Sequence, residues 1–300
     1  MSTLRFTKMH GLGNDFIVFD EASAPGGLPD AAQWRQLANR NTGIGFDQAL
    51  VISAPRRPGT DVYYSIFNAD GSEVEQCGNG ARCVAEWIRL QGRAGADGLA
   101  MDSRGGLIHA KLERPGLVSL DMGEPRFDPA SLPFVAPPLV AAGVAAGGVA
   151  HAGAAATPPQ REHFHRLQVA GREVEFAIAS MGNPHAVLFV DDVATAPVTE
   201  LGPAFQVHAA FPRRVNVGFM QVIDAAHVKL RVFERGVGET LACGTGACAA
   251  VAVGRKAGRL ASDVEVALPG GRLSIRWAGP GERLWMTGPA QVAFQGQVEF

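Results

Sequence analysis

The chain has 300 residues, 47% of them hydrophobic and 19% charged, with a formal net charge of −2. This length suffices for two domains, and the near balance of charge argues against a nucleic acid or a membrane surface as partner. Four cysteines are too few for a disulfide scaffold, and the N-terminal residues lack the apolar segment of a signal peptide, so we expect a cytoplasmic protein with free thiols.

Strand patterns dominate the first third of the chain. Apolar, β-branched and aromatic runs predict strands at 16–19, 49–52, 61–67, 107–112 and 117–122. A turn, NADG at 68–71, closes the third of these runs. The segment ARCVAEWIRL that follows has apolar residues at helical spacing and predicts a helix.

The second half repeats this order. Strands are predicted at 174–179, 186–190, 215–222, 228–233, 264–268, 272–277, 284–287 and 291–300. A helix of small residues, ACAAVAVGRKAGRL at 247–260, is predicted between the fourth and fifth of them. Between the halves, residues 133–160 consist largely of Pro, Ala, Gly and Val, which predicts a mobile surface insertion without a role in chemistry.

Two cysteines occupy matching positions in the two halves. Cys77 and Cys243 each have Glu four residues before, Gly one and three residues after, and Ala four residues after. A Gly-Asn pair stands at a similar distance upstream of each, in GLGND at 11–15 and MGNPH at 181–185. Registered agreement at so many positions predicts two homologous halves, each presenting one cysteine in the same setting.

Each of these cysteines stands where a strand leads through a glycine-rich turn into a helix. The first amides of a helix have no intrahelical partner, and glycine lets a ligand approach them closely. These amides and the positive end of the helix dipole attract anions and favour a thiolate. The pattern therefore predicts, in each half, a carboxylate-binding turn beside an acid–base cysteine.

Two such helix starts facing each other place a thiol on either side of a bound carboxylate. A thiolate removes the α-proton from one face while a thiol supplies a proton to the other, and this inverts the carbon. The helix ends stabilise the charge that the carboxylate gains. Because one sulfur must be charged and the other neutral, the pair titrates as a coupled system. Glu234, Arg235 and His185 are titratable or charged partners near the two motifs.

The remaining two cysteines are interpreted as structural residues. Cys83 and Cys248 lie within the predicted helices at core spacing, and we interpret them as small buried hydrophobes. A disulfide between Cys77 and Cys243, formed in a minor oxidised fraction of the protein, is a further alternative.

Two ligand classes are weakly supported. The absence of C-x₂-C spacing argues against zinc, and no metal is expected. The run GTGACA at 244–249, with Asp263 beyond it, fits a dinucleotide fingerprint. A hairpin-rich context does not supply the βαβ unit that this fingerprint needs.

At these residues the sequence resembles the diaminopimelate epimerase family. The matching segments are KMHGLGNDF (8–16), NADGSEVEQCGNGARC (68–83), MGNPHAV (181–187), VNVGF (215–219) and ERGVGETLACGTGACA (234–249). They are spread over nearly the whole chain, apart from the insertion at 133–160. Several independent motifs in order make the resemblance specific.

The resemblance implies an α/β (α+β) fold of two pseudo-symmetric domains, each a mostly antiparallel, barrel-like sheet around a central helix, with the active site between them. The N-terminal domain would be 1–128 plus 288–300 and the C-terminal domain 129–287. The implied reaction interconverts LL- and meso-2,6-diaminopimelate without a cofactor, in lysine and peptidoglycan precursor synthesis. The implied partners are a small amino-acid substrate and a second copy of the chain in a homodimer.

The resemblance also assigns roles by position. Cys77 and Cys243 would be the two acid–base thiols, supported by His185 and Glu234 respectively. The α-carboxylate would bind the amides of four turn residues, Gly78, Asn79, Gly244 and Thr245. The pocket would be lined by Asn14, Gln48, Asn68, Asn183, Asn216, Glu234 and Arg235.

Two alternatives remain open. A proline or hydroxyproline racemase of the same fold also uses two cysteines, but Asn79 and Arg235 favour diaminopimelate. The alternative from another functional class is a non-catalytic protein that binds an amino acid or takes part in thiol redox chemistry. The presence of both thiols at the paired helix starts argues against it.

Overall fold

The computed structural model describes residues 3–24, 26–75, 77–96, 98–135 and 164–300. Contacts between Cα atoms group the chain into two compact units, which we call unit 1 and unit 2. Unit 1 comprises Met1–Met122, Gly270–Ser274 and Trp285–Phe300, and unit 2 comprises Gly123–Pro269 and Ile275–Leu284. All but the first three residues of the predicted insertion at 133–160 lie outside the described residues.

The strands and helices follow each other in a repeating order. The strands are β1 (Thr3–Gly11), β2 (Asn14–Asp20), β3 (Gln48–Ser53), β4 (Val62–Asn68), β5 (Glu73–Val74), β6 (Leu99–Ser103), β7 (Gly106–Arg114), β8 (Leu117–Asp121), β9 (Phe164–Val169), β10 (Arg172–Ser180), β11 (Pro184–Phe189), β12 (Asn216–Asp224), β13 (His227–Glu234), β14 (Gly238–Thr240), β15 (Asp263–Leu268), β16 (Gly271–Arg276), β17 (Trp285–Pro289) and β18 (Gln291–Glu299). The helices are α1 (Ala31–Ala38), α2 (Gly78–Leu90), α3 (Val198–Gln206) and α4 (Gly244–Lys256), with short 3₁₀ turns at Glu21–Ser23 and Pro129–Ser131.

In unit 1 the strands pair in the order β18–β1–β2–β3–β4–β6–β7–β8–β17, and β5 pairs with the end of β4. Only β2–β3 and β4–β6 are parallel in this order. Because a single residue separates β17 from β18, one continuous segment pairs with both edge strands and closes the sheet. Helix α2 packs against β1, β2, β3, β7 and β8, and every residue from Asn79 to Ile88 is buried.

Unit 2 repeats this plan. Its strands pair in the order β9–β10–β11–β12–β13–β15, and β14 pairs with the end of β13. The parallel pairs β11–β12 and β13–β15 take the places of β2–β3 and β4–β6. Helix α4 packs against β10 to β13 and is buried from Gly246 to Gly254. The predicted fold is confirmed: two pseudo-symmetric units, each a mostly antiparallel sheet around a central helix.

The opposite face of each sheet carries a second helix. In unit 1, Trp34 of α1 packs among Phe19, Phe46 and Phe67, with ring centroids 5.4 to 6.2 Å apart. In unit 2, Phe205 of α3 packs on Phe176 at 5.2 Å. Because side chains alternate along a strand, the residues between those that face α1 or α3 are left to face α2 or α4.

The structure differs from the sequence expectations at a few elements. Strands β1, β5, β6, β9 and β14 and helices α1 and α3 were not predicted. Helix α4, predicted to reach residue 260, ends at Lys256, and Gly258 beyond it has a φ of 71°, the left-handed backbone that commonly terminates helices. None of the described helices is long and apolar enough to cross a membrane.

Candidate active site

The first cysteine caps the central helix of unit 1. Cys77 precedes α2 in extended conformation, with φ −145° and ψ 109°, and its sulfur accepts a hydrogen bond from the Gly80 amide at 3.4 Å. The Ala81 amide donates to the Cys77 carbonyl at 2.8 Å, as in a regular first turn. The amides of Gly78 and Asn79 therefore have no partner within the helix and are suited to bind an anion.

The second cysteine caps the central helix of unit 2 in the same way. Cys243 precedes α4 with φ −121° and ψ 107°, and the Ala247 amide donates to its carbonyl at 3.0 Å. The Gly246 amide, which corresponds to Gly80, also interacts with the sulfur, but outside the geometry of a capping bond. In addition, the Thr245 hydroxyl lies 3.6 Å from Cys243 Sγ.

The third residue of each turn has to be small. A Cβ on Gly80 would lie 3.0 Å from Leu50 Cδ2, and one on Gly246 would lie 3.0 Å from Val232 Cγ2. The same atom on Gly246 would also be 3.2 Å from Cys243 Sγ. Glycine thus lets each helix start pack closely against its sheet and keeps space beside the sulfur.

Asn14 lies beside the Cys77 thiol. Leu12 and Gly13 have φ of 58° and 85° and form the two-residue turn between β1 and β2, which is the geometry of a type I′ hairpin. Asn14 follows this turn, with Oδ1 3.7 Å from Cys77 Sγ and Nδ2 donating to Asp47 Oδ2 at 2.7 Å. A carboxylate only accepts hydrogen bonds, so Asp47 fixes the amide with its oxygen toward the thiol.

Asp47 belongs to a network of charges behind Asn14. Arg40 donates two hydrogen bonds to Asp15, at 2.8 and 2.9 Å, and one to Asp47 at 2.7 Å. Lys8 also pairs with Asp15 and donates to the Gly45 carbonyl. Burial raises the pKa of Asp15, but hydrogen bonds from Arg40 and Lys8 and their positive charges outweigh it and hold that pKa well below its usual range. Asp15 is therefore ionised at neutral pH.

Gln48 and Asn68 lie together at the ends of neighbouring strands. They are register partners in β3 and β4, and Gln48 Nε2 donates to Asn68 Oδ1 at 3.0 Å. Asn68 Nδ2 in turn donates to Ser72 Oγ at 3.1 Å. Gln48 Oε1 is buried and has no hydrogen-bond partner within the part of the chain that the structure describes. It is thus an acceptor suited to an ammonium donor.

In unit 2, Asn216 holds the end of β13 in place. It is 3% exposed and lies opposite His185 in the parallel pairing of β11 and β12. Its Nδ2 donates to the Pro184 carbonyl at 3.1 Å and its Oδ1 accepts from the Arg235 amide at 2.8 Å. The Arg235 side chain is exposed, and its guanidinium contacts only the Arg213 carbonyl among its described hydrogen-bond partners, at 3.5 Å.

His185 is a neutral ring at ordinary pH. It is 1% exposed, and burial, followed by the positive charge of Arg235, lowers its pKa to about 3. Its Nε2 lies 3.0 Å from Asn183 Oδ1.

The surroundings of the Cys243 side chain keep its thiol protonated. The residue is 4% exposed, and burial first and the negative charge of Glu234 second raise its pKa well above the usual thiol value. The Thr245 hydroxyl and the Gly246 amide act in the opposite direction. Glu234 itself accepts a hydrogen bond from Thr240 Oγ1 at 2.5 Å, which orients its carboxylate.

The other two cysteines are core residues, as predicted. Cys83 and Cys248 are fully buried, and no disulfide joins the four cysteines. Burial raises the pKa of Cys83 to about 12, so its thiol stays protonated. Within the described residues, no group of three or more His, Cys, Asp and Glu side chains is arranged to hold a metal ion.

The predicted site residues fall into two groups, one in each unit. Unit 1 holds Asn14, Gln48, Asn68, Cys77, Gly78 and Asn79. Unit 2 holds Asn183, His185, Asn216, Glu234, Arg235, Cys243, Gly244 and Thr245. The pairing of His185 with Cys77 joins residues of different units and stays a prediction, as do all the assigned roles.

Sequence reasoning missed two residues that contact the predicted site residues. Asp47 directly precedes Gln48 at the start of a strand, and its acidic side chain there was the available signal. Thr240, which orients Glu234, carries no signal in the sequence.

Solved structures with this fold have other activities. A phenazine biosynthesis protein of the PhzF family from Bacillus anthracis superimposes with a TM-score of 0.65 at 14% identity, covering 100% of both chains. A hydroxyproline epimerase from Agrobacterium vitis gives a TM-score of 0.62 at 16% identity, covering 99% of this chain and 92% of that one. At these identities the likeness shows the fold alone.

Sequence comparison is more specific. The diaminopimelate epimerase family model matches residues 6–127 and 177–293. The diaminopimelate epimerase of Stutzerimonas stutzeri is 49% identical over 298 residues, covering 98% of this chain and 99% of that protein. The one from Pseudomonas entomophila is 50% identical over 297 residues with the same coverage. The chain therefore belongs to the diaminopimelate epimerase family of isomerases.

Proposed function

We propose that the protein interconverts LL- and meso-2,6-diaminopimelate by moving the proton on one α-carbon, without a cofactor, in lysine and peptidoglycan precursor synthesis. The observation that carries this proposal is the repeated helix start. In each unit a cysteine caps a buried central helix whose first amides have no intrahelical partner. Membership of the family supports the choice of substrate.

The substrate's α-carboxylate binds the first-turn amides of Gly78, Asn79, Gly244 and Thr245 in this proposal. These amides stand at positive helix ends, where an anion is favoured. Removal of the α-proton moves negative charge into the carboxylate, and the amides then bind it more strongly.

The two thiols act on opposite faces of the same α-carbon. One thiolate takes the α-proton and becomes a thiol, while the other thiol gives its proton to the opposite face and becomes a thiolate. In this scheme His185 supports Cys77, and the Glu234 carboxylate supports Cys243 as its base. The short bond from Thr240 orients the Glu234 carboxylate for this task.

The far end of the substrate carries an ammonium and a second carboxylate. Amide oxygens such as the unpartnered Gln48 Oε1 suit the ammonium, and the exposed guanidinium of Arg235 suits the carboxylate. The remaining polar side chains complete this pocket: Asn14, Asn68, Asn183, Asn216 and Glu234.

Three further predictions belong to this proposal. The protein is a cytoplasmic homodimer with a small amino acid as its ligand. Its N-terminal domain is 1–128 plus 288–300, and its C-terminal domain is 129–287.

Substrate profiling without added cofactor tests the proposal. The purified protein is incubated with LL-diaminopimelate, L-proline and trans-4-hydroxy-L-proline, and each product is resolved by chiral chromatography. We expect inversion of diaminopimelate only. Inversion of proline or hydroxyproline in its place would transfer the function to the racemase alternative, and inversion of none would favour a non-catalytic protein.

A further inference from the structure

We propose that Thr245 is a positioning residue whose hydroxyl donates to the Cys243 sulfur as the last link of a hydrogen-bond chain that begins at the His185 ring. This inference deepens the proposed function, since it assigns an additional role in the proton transfer at Cys243. It concerns the Thr245 side chain, and is independent of carboxylate binding by the Thr245 amide.

The links of the chain are three contacts within unit 2. His185 Nε2 lies 3.0 Å from Asn183 Oδ1. Asn183 Nδ2 lies 3.2 Å from Thr245 Oγ1. Thr245 Oγ1 lies 3.6 Å from Cys243 Sγ, an ordinary distance for a hydrogen bond to sulfur.

The chemistry of the groups gives the chain one direction. Asn183 Oδ1 can only accept, so the proton of the neutral His185 ring is on Nε2. Asn183 Nδ2 can only donate, so it occupies a lone pair of Thr245 Oγ1 and leaves the Thr245 proton for another acceptor. Among the residues that the structure describes, the Cys243 sulfur is the acceptor within reach.

The two helix starts differ at this point. The Gly80 amide donates to the Cys77 sulfur at 3.4 Å, whereas the Gly246 amide interacts with the Cys243 sulfur outside the geometry of a capping bond. At the position of Thr245, the first helix start has Asn79, whose side chain accepts from the buried guanidinium of Arg82 at 2.8 Å. The Thr245 hydroxyl therefore gives Cys243 a side-chain donor in addition to the Gly246 amide.

The direction of the chain has two chemical consequences. A donor on the sulfur stabilises the thiolate that remains after Cys243 releases its proton. With Nε2 protonated, the lone pair of the neutral His185 ring is on Nδ1.

Two other charged groups face this chain. Glu234 faces Cys243 from β13 and disfavours the thiolate, and Arg235 faces His185 from the end of the same strand. A change at Thr245 leaves both charged groups in place and removes the hydroxyl with its contacts to Asn183 and Cys243.

The test is the pH dependence of Cys243 alkylation by iodoacetamide in the ligand-free protein, read by peptide mass spectrometry. Thr245→Val removes the hydroxyl with little change in shape, and Thr245→Ser keeps it. We expect the midpoint in Thr245→Val to rise by about 1 pH unit, because the thiolate loses a hydrogen-bond donor. Thr245→Ser should keep the wild-type midpoint. Thr245→Ala, which also lacks the hydroxyl, serves if valine disturbs the fold, and circular dichroism checks each variant.

An unchanged midpoint in the folded valine or alanine variant would overturn the proposal, and so would a serine variant that behaves like valine. Nitrogen-15 NMR of His185 gives an independent result: the Nε2–H tautomer is expected, and the Nδ1–H tautomer would contradict the direction of the chain. Neither measurement uses diaminopimelate. Failure of the proposed function would appear in substrate profiling and leave these two results unaffected.

Discussion

The two helix starts have similar backbone conformations but different surroundings. Cys77 and Cys243 precede helices of equal length in similar extended conformations. Around Cys77 the sulfur meets a backbone amide and the oxygen of Asn14. Around Cys243 it is almost fully buried and meets Glu234 and Thr245. The duplicated scaffold places both thiols, and the groups beside the two sulfurs differ.

The proposed mechanism requires the two thiols to be in different protonation states. The different surroundings of Cys77 and Cys243 suit this requirement. Burial and the Glu234 charge raise the pKa of Cys243, so it rests as a thiol at neutral pH. We expect Cys77 to act as the base in one direction. Four experiments test this difference between the two cysteines.

Removing either sulfur should have the largest effect. Cys77→Ala and Cys243→Ala each delete one acid–base group, and we expect kcat/KM for diaminopimelate to fall at least about 10³-fold. The matched controls are Cys83→Ala and Cys248→Ala in the same two helices, which should cost about 1 kcal/mol of stability and keep the activity. Activity above a tenth of wild type in either of the first two variants would remove that thiol from the mechanism.

Glu234→Gln should act on Cys243 alone. The neutral amide no longer disfavours the thiolate, so the alkylation midpoint of Cys243 should move to lower pH, opposite to Thr245→Val. Turnover should fall about 10²-fold, because the thiol loses its base. Glu239→Gln is the control, since Glu239 lies in the neighbouring strand and pairs with Arg231. A midpoint that does not move would contradict the electrostatic account of Cys243.

Asp47→Ala should act on the Cys77 side. Without the carboxylate the Asn14 amide loses the acceptor that turns its oxygen toward the thiol, and we expect kcat to fall about 10-fold. Asp263→Ala, which removes an exposed acid paired with Arg276, is the control. Wild-type kcat in Asp47→Ala would show that the orientation of Asn14 is unimportant.

The smallest effect should be on stability. The pKa of Asp15 is held low in the folded state, so its contribution is present above the unfolded-state value of about 4 and is lost as the pH falls. Asp15→Asn should lower the free energy of unfolding by about 1–2 kcal/mol at pH 7, with a smaller difference at pH 3. Urea unfolding at both pH values measures this, and an equal difference at the two would contradict it.

Sequence patterns predicted the central helices and most strands because their apolar residues recur at clear spacings. They missed β1 and β6, where buried polar residues interrupt the pattern: Lys8 is 8% exposed because it pairs with Asp15, and Asp102 is 2% exposed. Helix α1 has only eight residues, and α3 contains Pro203, so neither shows a long periodic run.

The two cysteines and their turns were predictable from the internal repeat. The contacts between distant side chains were not. Asp47 reaches Asn14, and Thr240 reaches Glu234, only because strand pairing brings them together. The direction of the chain from His185 to Cys243 likewise depends on distances that the sequence does not contain.

The central claim, that two thiols act on opposite faces of one carbon, is tested most directly by the early turnovers of LL-diaminopimelate in D₂O. The account predicts meso product with one deuterium at the inverted carbon and unreacted LL substrate without deuterium, because each face exchanges with its own thiol. Deuterium appearing equally in recovered substrate and product, or protium transferred from substrate to product, would contradict it and indicate a single base.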